Sequence, residues 1–170
     1  SGRARARSRA RVLQASPLVA KRLLGDYISR AENVDVLAEY MDMFDFGECD
    51  VAEAMRALCE AFRLPGEAQQ IARITETFAR KYFASKPPGI RSEDAVYVLA
   101  YSIIMLNTDL HNPQVTRRMT TADYQRNLRG VNDGADFDQA YLAAIYDGSR
   151  RREIVMPDAH RGQRGFAYAR

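Results

Sequence analysis

Two short stretches of this 170-residue chain hold residues whose types and spacing could do chemistry. The first is FRLPGEAQQ, Phe62 to Gln70, in which Leu64-Pro65-Gly66 breaks one helical pattern and Glu67 follows where the next begins. A Glu at that place has an ordinary role, as an anion favoured by the partial positive charge of a helix start. No His, Ser or Lys stands close enough in sequence to make it the general acid or base of a hydrolase. The second stretch is SEDAVYVLAYSIIMLNTDLHN, 92–112. An advance of 100° per residue places Ala95, Val98, Leu99, Ser102, Ile103 and Leu106 on one side and Tyr97, Ala100, Tyr101, Ile104 and Met105 on the other. Both sides are apolar, so the helix is either central in the core or buried on one side and presented to a partner on the other. Two Tyr and a Met on one face suit an interface, because a Tyr ring buries area while its hydroxyl stays wet.

The elements that must position these residues read as helix after helix. Ser16-Pro17 is a helix start leading into Leu18, Val19, Leu23, Leu24 and Tyr27. Val34, Leu37, Met41 and Phe44 recur at three- and four-residue steps. Asp50 caps a helix that turns Val51, Met55, Leu58 and Phe62 inward. Ile71, Ile74, Phe78 and Tyr82 mark the helix after Gly66, and Lys86-Pro87-Pro88-Gly89 ends it. Thr120 and Asp123 form a capping-box pattern. A polar turn from Gly130 to Gly134 leads to a last helix with Phe137, Tyr141, Leu142, Ile145 and Tyr146. No segment sustains strand-like alternation, so the fold class is all-α.

Composition removes several function classes. Asp133, Asp136 and Asp138 resemble a calcium loop, but Ala144 stands where an EF-hand starting at Asp133 needs Glu, so these acids read as turn and cap residues. Cys49 and Cys59 are not in a metal or redox spacing, and only His111 and His160 could join them, so no metal site is expected. No run of 18 or more apolar residues occurs, and no apolar stretch follows the N-terminal charges; a cytoplasmic setting is expected. The net charge of +3 is unevenly spread. Residues 1–15 carry five Arg and no acid, and 150–170 carry six Arg against Glu153 and Asp158, while 16–149 sums to −6. Three regions follow: a disordered basic arm over 1–15, a helical body over 16–149 and a basic segment over 150–170. The arm fits a solvated tail, a peripheral contact with an anionic membrane, or a contact with nucleic acid. The acidic body lacks the basic recognition face of a nucleic-acid-binding domain, so no nucleic-acid partner is expected for it.

The two chemical stretches, FRLPGEAQQI at 62–71 and AYSIIMLNTDLHNPQV at 100–115, resemble the signature motifs of Sec7 domains, the exchange modules of Arf-family small GTPases. RNLRGVNDGADF at 126–137 extends the resemblance, which runs from about Pro17 to Asp147. REIVMP at 152–157 and the wording YSIIMLNTDLHNP resemble the large Golgi group, the GBF/Gea/GNOM type. The resemblance implies a right-handed superhelix of antiparallel helices whose groove takes up the switch regions of an Arf. It implies that Tyr97, Tyr101, Ile104 and Met105 line the groove, that Asn112 hydrogen-bonds the GTPase, and that Glu67 is a catalytic glutamate finger aimed at magnesium and the β-phosphate. It also implies sensitivity to brefeldin A through Tyr101, Ser102, Asp109 and Met119. No cofactor of its own is implied, since the magnesium and GDP belong to the Arf, and no covalent bond is made or broken. A non-catalytic Arf-binding domain is the alternative. Against the family pattern, the first helices are expected to be missing, with the arginine arm in their place; Gln70 and Ala72 stand where relatives carry Lys and Asp; and Gly148 is expected to end the last helix early.

Overall fold

A computed structural model describes residues 2–16 and 21–157. Among them the chain forms eight α-helices: α1 (Gly2–Ala15), α2 (Lys21–Ile28), α3 (Val34–Met41), α4 (Val51–Ala61), α5 (Ala68–Ala84), α6 (Glu93–His111), α7 (Thr121–Asn127) and α8 (Gln139–Arg151), with a 3-10 turn at Ala31–Asn33 before α3. No strand occurs among the described residues; an isolated bridge pairs Asn132 with Ala135. The all-α expectation holds.

The helix starts follow from local chemistry. The Asp50 side chain accepts from the Glu53 N–H while Glu53 reaches back to the Asp50 N–H, and Thr120 and Asp123 repeat the arrangement at α7. Ser92 caps α6 through the Ala95 N–H, and Asp138 caps α8 through the Ala140 N–H. Asp136 accepts from the Gly130 N–H, so the three acids near 133–138 are turn and cap residues. Gly130, Asp133 and Gly134 take left-handed φ values of 72°, 55° and 84° in that turn. Asn132 then locks the turn onto the loop before α6, donating to the Gly89 carbonyl at 2.8 Å and accepting from the Arg91 N–H at 2.8 Å.

Two expectations at the N-terminal side need correction. Residues 2–15 are not a disordered arm: they form α1, which packs on α3 through Ala6 and Ala10, both buried, with Leu13 half-buried against the same core. Arg3 and Glu39 of α3 form an ion pair at 3.0 Å. The arginines conceal this stripe, because its residues are mostly Ala, whose small side chain lets two helices approach closely without registering as hydrophobic. Helix α1 thereby covers one face of α3 and stands where the first helices were expected to be missing. On α3 the buried set is Val36, Leu37, Tyr40 and Met41, whereas Val34 is 48% exposed, so the stripe is rotated from the expected one. Of the expected helix start at Ser16-Pro17, positions 17–20 lie outside the described residues.

The C-terminal side is corrected in the same sense. Helix α8 runs through Gly148 to Arg151, with Ser149 buried behind it. Residues 152–157 then form a strap on the body: Ile154 and Met156 are buried, and Asn107 exchanges two hydrogen bonds with Ile154, accepting from its N–H at 2.8 Å and donating to its carbonyl at 3.3 Å. Arg56 donates to the Arg152 and Glu153 carbonyls. Residues 150–157 therefore belong to the folded body; 158–170 lie outside the described residues.

Candidate functional site

Helix α6 supplies the site because it is apolar on more of its circumference than the core can use. Ala95, Val96, Leu99, Ala100, Ile103, Ile104, Leu106 and Asn107 are buried against its neighbours, which include α4, α5 and α8. What remains outward is the strip Tyr97, Val98, Tyr101, Ser102 and Met105, at i, i+1, i+4, i+5 and i+8. Together with Met119, Tyr124, Asn127 and Leu128 these residues line a groove of about 460 Å³ between α6 and α7. Met105 is 45% exposed within it, one of the few large apolar side chains so open. The groove lies about 60° around the helix from the expected face, the sense in which 100° steps carry Val98 and Ser102 in and Ile104 out. Ile104 is 2% exposed and belongs to the core, which corrects its assignment to the groove.

The groove walls are held by named bonds. The Tyr97 and Tyr101 rings stack at 6.1 Å, and burial, with Tyr101, Glu76 and Asp94 nearby, raises the Tyr97 phenol above its usual value. Tyr124 is buried with its hydroxyl 2.9 Å from the Ser102 hydroxyl, which in turn donates to the Leu99 carbonyl at 2.6 Å. Burial pushes the Tyr124 phenol up to about 12, against the smaller lowering effect of the Ser102 bond, so it stays a neutral donor. Met119 is pinned from both sides: its N–H donates to the Asp109 carboxylate at 2.6 Å, and its carbonyl accepts from the Tyr146 hydroxyl at 2.7 Å. Asp109 is thus a support of the groove wall and is not among its lining residues. Asn112 is the C-cap of α6, half-buried, with its side-chain oxygen accepting from the Gln114 N–H at 2.9 Å.

Glu67 sits at the N-cap of α5, one place before the first turn. Its carboxylate accepts from the Gln69 N–H at 3.0 Å and the Gln70 N–H at 2.9 Å, and the residue is exposed. The loop carrying it is fixed at three points. Phe62 and Leu64 are buried, and the Leu64 N–H approaches the Met156 sulfur at 3.2 Å, so the strap holds the loop down. The Arg63 N–H donates to the Lys21 carbonyl of α2 at 3.1 Å, and Gln70 donates to the Asp26 carbonyl and carboxylate, each at 3.2 Å. Bonds from Arg30 and Gln70 lower the Asp26 carboxyl below its usual range. Gly25 makes this docking possible: a Cβ there would collide with the Arg63 carbonyl oxygen, so only glycine lets α2 lie against the loop. Gly25 and Tyr124 had no signal in the sequence; their roles depend on Arg63 and Ser102, neighbours more than 20 residues away.

Helices α5 and α6 pack on each other as an antiparallel pair joined by the break at 85–92, with Arg80 of α5 4.0 Å from Glu93 at the start of α6. Glu67 thus stands at the start of the helix that packs against the groove-bearing helix α6. The arrangement combines a rigid exposed carboxylate with an open apolar groove. No group of three His, Cys, Asp or Glu placed to hold a metal occurs among the described residues, and none of their helices is long and apolar enough to cross a membrane. Cys49 and Cys59 are free; burial pushes the Cys59 thiol up to about 12.

Comparison with known proteins places this geometry. The family model described as the Sec7 domain matches residues 3–154. A similar relative is the brefeldin A-inhibited guanine nucleotide-exchange protein 1 of Arabidopsis thaliana, 48% identical over 136 residues, covering 79% of this chain and 8% of that protein. The ARF guanine-nucleotide exchange factor 1 of Saccharomyces cerevisiae is 42% identical over 167 residues, covering 84% of this chain and 12% of that protein. The chain thus spans about a tenth of the length of the curated relatives it matches. Among solved structures, a complex of ARF1-GDP bound to a Sec7 domain with brefeldin A superposes with a TM-score of 0.85 at 46% identity, covering 91% of this chain and 80% of that one. The match from residue 3 includes α1 and agrees with its place in the folded body.

Proposed function

This chain belongs to the Sec7 domain family, and from that premise we propose that it is a guanine-nucleotide exchange factor for Arf-family small GTPases, with Glu67 as the glutamate finger. The observation that carries the reading is the pairing of an exposed, twice hydrogen-bonded carboxylate at the α5 N-cap with an open groove of Tyr97, Tyr101 and Met105 on the helix packed against α5. The groove would take up an apolar segment of the GTPase, Met105 and the two rings serving as anchors, with Asn112 as a polar contact at the end of α6.

The chemistry is repulsion. Two backbone N–H donors at the helix start hold the Glu67 carboxylate in one orientation. Set about 4 Å from a phosphate charge at an effective dielectric near 20, such a carboxylate costs roughly 4 kcal/mol, on the order of a thousandfold in nucleotide affinity. Linkage does the rest: exchange factor and nucleotide weaken each other by the same factor, so GDP leaves and GTP displaces the domain. The domain makes and breaks no covalent bond and brings no cofactor; magnesium and nucleotide arrive with the GTPase. The names of its relatives support brefeldin A as an inhibitor, and the resemblance of REIVMP at 152–157 to the large Golgi group supports a place on the cytosolic face of Golgi membranes. Tyr101, Ser102 and Met119 line the groove where that ligand would wedge, and Asp109 would act through Met119.

The test is GDP release from an Arf. Release is expected to accelerate at substoichiometric amounts of the chain, which separates a catalyst from a mere Arf-binding domain. Glu67→Lys is expected to reduce the rate by about a thousandfold while costing stability only about 1 kcal/mol, the worth of a lost N-cap. A Glu67→Lys variant releasing GDP at the parental rate overturns the finger assignment.

A further inference from the structure

Helix α1 carries its arginines where helix stability does not want them. Arg3 and Arg5 stand in the first turn, at the positive end of the helix dipole, Arg7, Arg9 and Arg11 follow in the next two turns, and the last turn has no basic residue. Arg3/Arg7, Arg5/Arg9 and Arg7/Arg11 are like-charge pairs at i,i+4, an arrangement that weakens a helix. Arg3 alone among the five has an ion-pair partner among the described residues, Glu39. Arg5, Arg7, Arg9 and Arg11 are exposed.

The buried stripe of Ala6, Ala10 and Leu13 fixes what faces outward. Opposite it lies a ridge of Ala4, Ser8 and Val12, all exposed, with Val12 66% exposed. At 100° per residue, Arg7 and Arg11 flank this ridge on one side and Arg5 and Arg9 on the other. The result is a small, partly apolar crest between two cationic rows, a shape met by a flat anionic surface. A nucleic-acid groove would call for a basic crest instead. The rest of the folded body, 16–157, is net −4 (17 basic against 21 acidic residues), so an anionic surface attracts α1 and repels the remainder, which orients the domain.

We propose that the outward face of α1 docks on an anionic lipid bilayer, with Arg5, Arg7, Arg9 and Arg11 reaching headgroup phosphates on both flanks and Val12 entering the interface between them. Arginine stems lie along the crest while their heads stay at phosphate depth. The inference stands apart from nucleotide exchange, since vesicle binding needs no GTPase.

The experiment is co-sedimentation of the 170-residue chain with phosphatidylcholine vesicles, with and without phosphatidylserine, over a salt series. Binding is expected only with phosphatidylserine and is expected to weaken steeply with salt. Arg5→Gln/Arg7→Gln/Arg9→Gln/Arg11→Gln is expected to lose about a hundredfold or more in partitioning. Arg161→Gln/Arg164→Gln/Arg170→Gln, of comparable charge change outside α1, is expected to stay within about threefold of the parent, since it leaves both cationic rows of α1 intact. Circular dichroism and melting should show the α1 variant folded; if it unfolds, Val12→Asp and Ser8→Glu on the crest decide the question, each expected to weaken binding several-fold. Parental binding by the α1 or crest variants, loss of binding in the C-terminal variant, equal binding to both vesicles, or a preference for duplex DNA over vesicles each overturns the proposal.

Discussion

Helices α1 and α6 share a plan and differ in every material. Each buries one side and leaves the other to solvent. Helix α6 has apolar residues in excess of what the core takes, so its outward strip of Tyr97, Tyr101 and Met105 is what remains after the core is filled. Helix α1 has almost none, and holds on through two alanines, a half-buried Leu13 and an ion pair. A short helix of repelling arginines is marginal alone, so α1 exists because α3 receives it. One helix is specified from within, the other by its neighbour, and the faces they offer differ to match: apolar shape on α6, charge on α1.

The comparison makes measurable claims. The largest effect is expected on the buried side of α6: Leu99→Ala, at a fully buried position, should cost about 2–5 kcal/mol in denaturant unfolding. On α1, Ala10→Leu should cost about 1–3 kcal/mol, since the added volume has no space against α3. Hydrogen exchange should show that loss concentrated in α1, and an unchanged protection pattern there would contradict its dependence on α3. On the outward strip, Met105→Ala should cost stability less than about 1 kcal/mol and Arf binding about 1–3 kcal/mol. Equal destabilisation by Met105→Ala and Leu99→Ala would erase the distinction between the two sides of α6.

A further effect concerns alkali, which tests the body around α6. Cys59 and Tyr124 have folded-state values pushed up by burial to about 12, above the 9.0 and 10.0 ordinary for the two groups. Groups raised in this way add nothing against folding while protonated in both states. Above about pH 9 the unfolded chain ionises first and draws the equilibrium toward itself, so stability is lost as pH rises through the window up to about 12. Cys59 alone should cost about 1 kcal/mol per pH unit there, and Cys59→Ala should flatten the slope even while lowering stability at neutral pH.

Much of the site was legible because its signals are local. The caps at Asp50, Ser92 and Thr120 depend on contacts three residues away, and all are present. Glu67 follows its Pro-Gly turn to the head of a helix. Tyr97, Tyr101 and Met105 share a face by spacing alone. The misplacements share a cause as well. The resemblance put Ile104 in the groove and the 100° spacing put Val98 on the opposite side, and neither says where the neighbouring helices press. The α3 stripe was misplaced in the same way, with Val34 exposed and Val36 and Tyr40 buried. Gly25 carries no local signal, since its need for glycine comes from the Arg63 carbonyl packed against it.

By itself, then, the sequence determined that this is an all-helical chain with a carboxylate at a helix start and an apolar helix offering aromatic residues on one face. These are properties of turns, caps and 3.6-residue spacing, which act within a few residues. The tertiary structure alone decided that residues 2–15 fold, which way α6 is rotated, that Asp109 serves Met119 rather than the groove, and that the 152–157 strap and Gly25 hold the Glu67 loop in place. Each of these is settled by packing between elements far apart in the chain, where burial against a neighbour outweighs the fraction of a kcal/mol per residue that local propensity supplies.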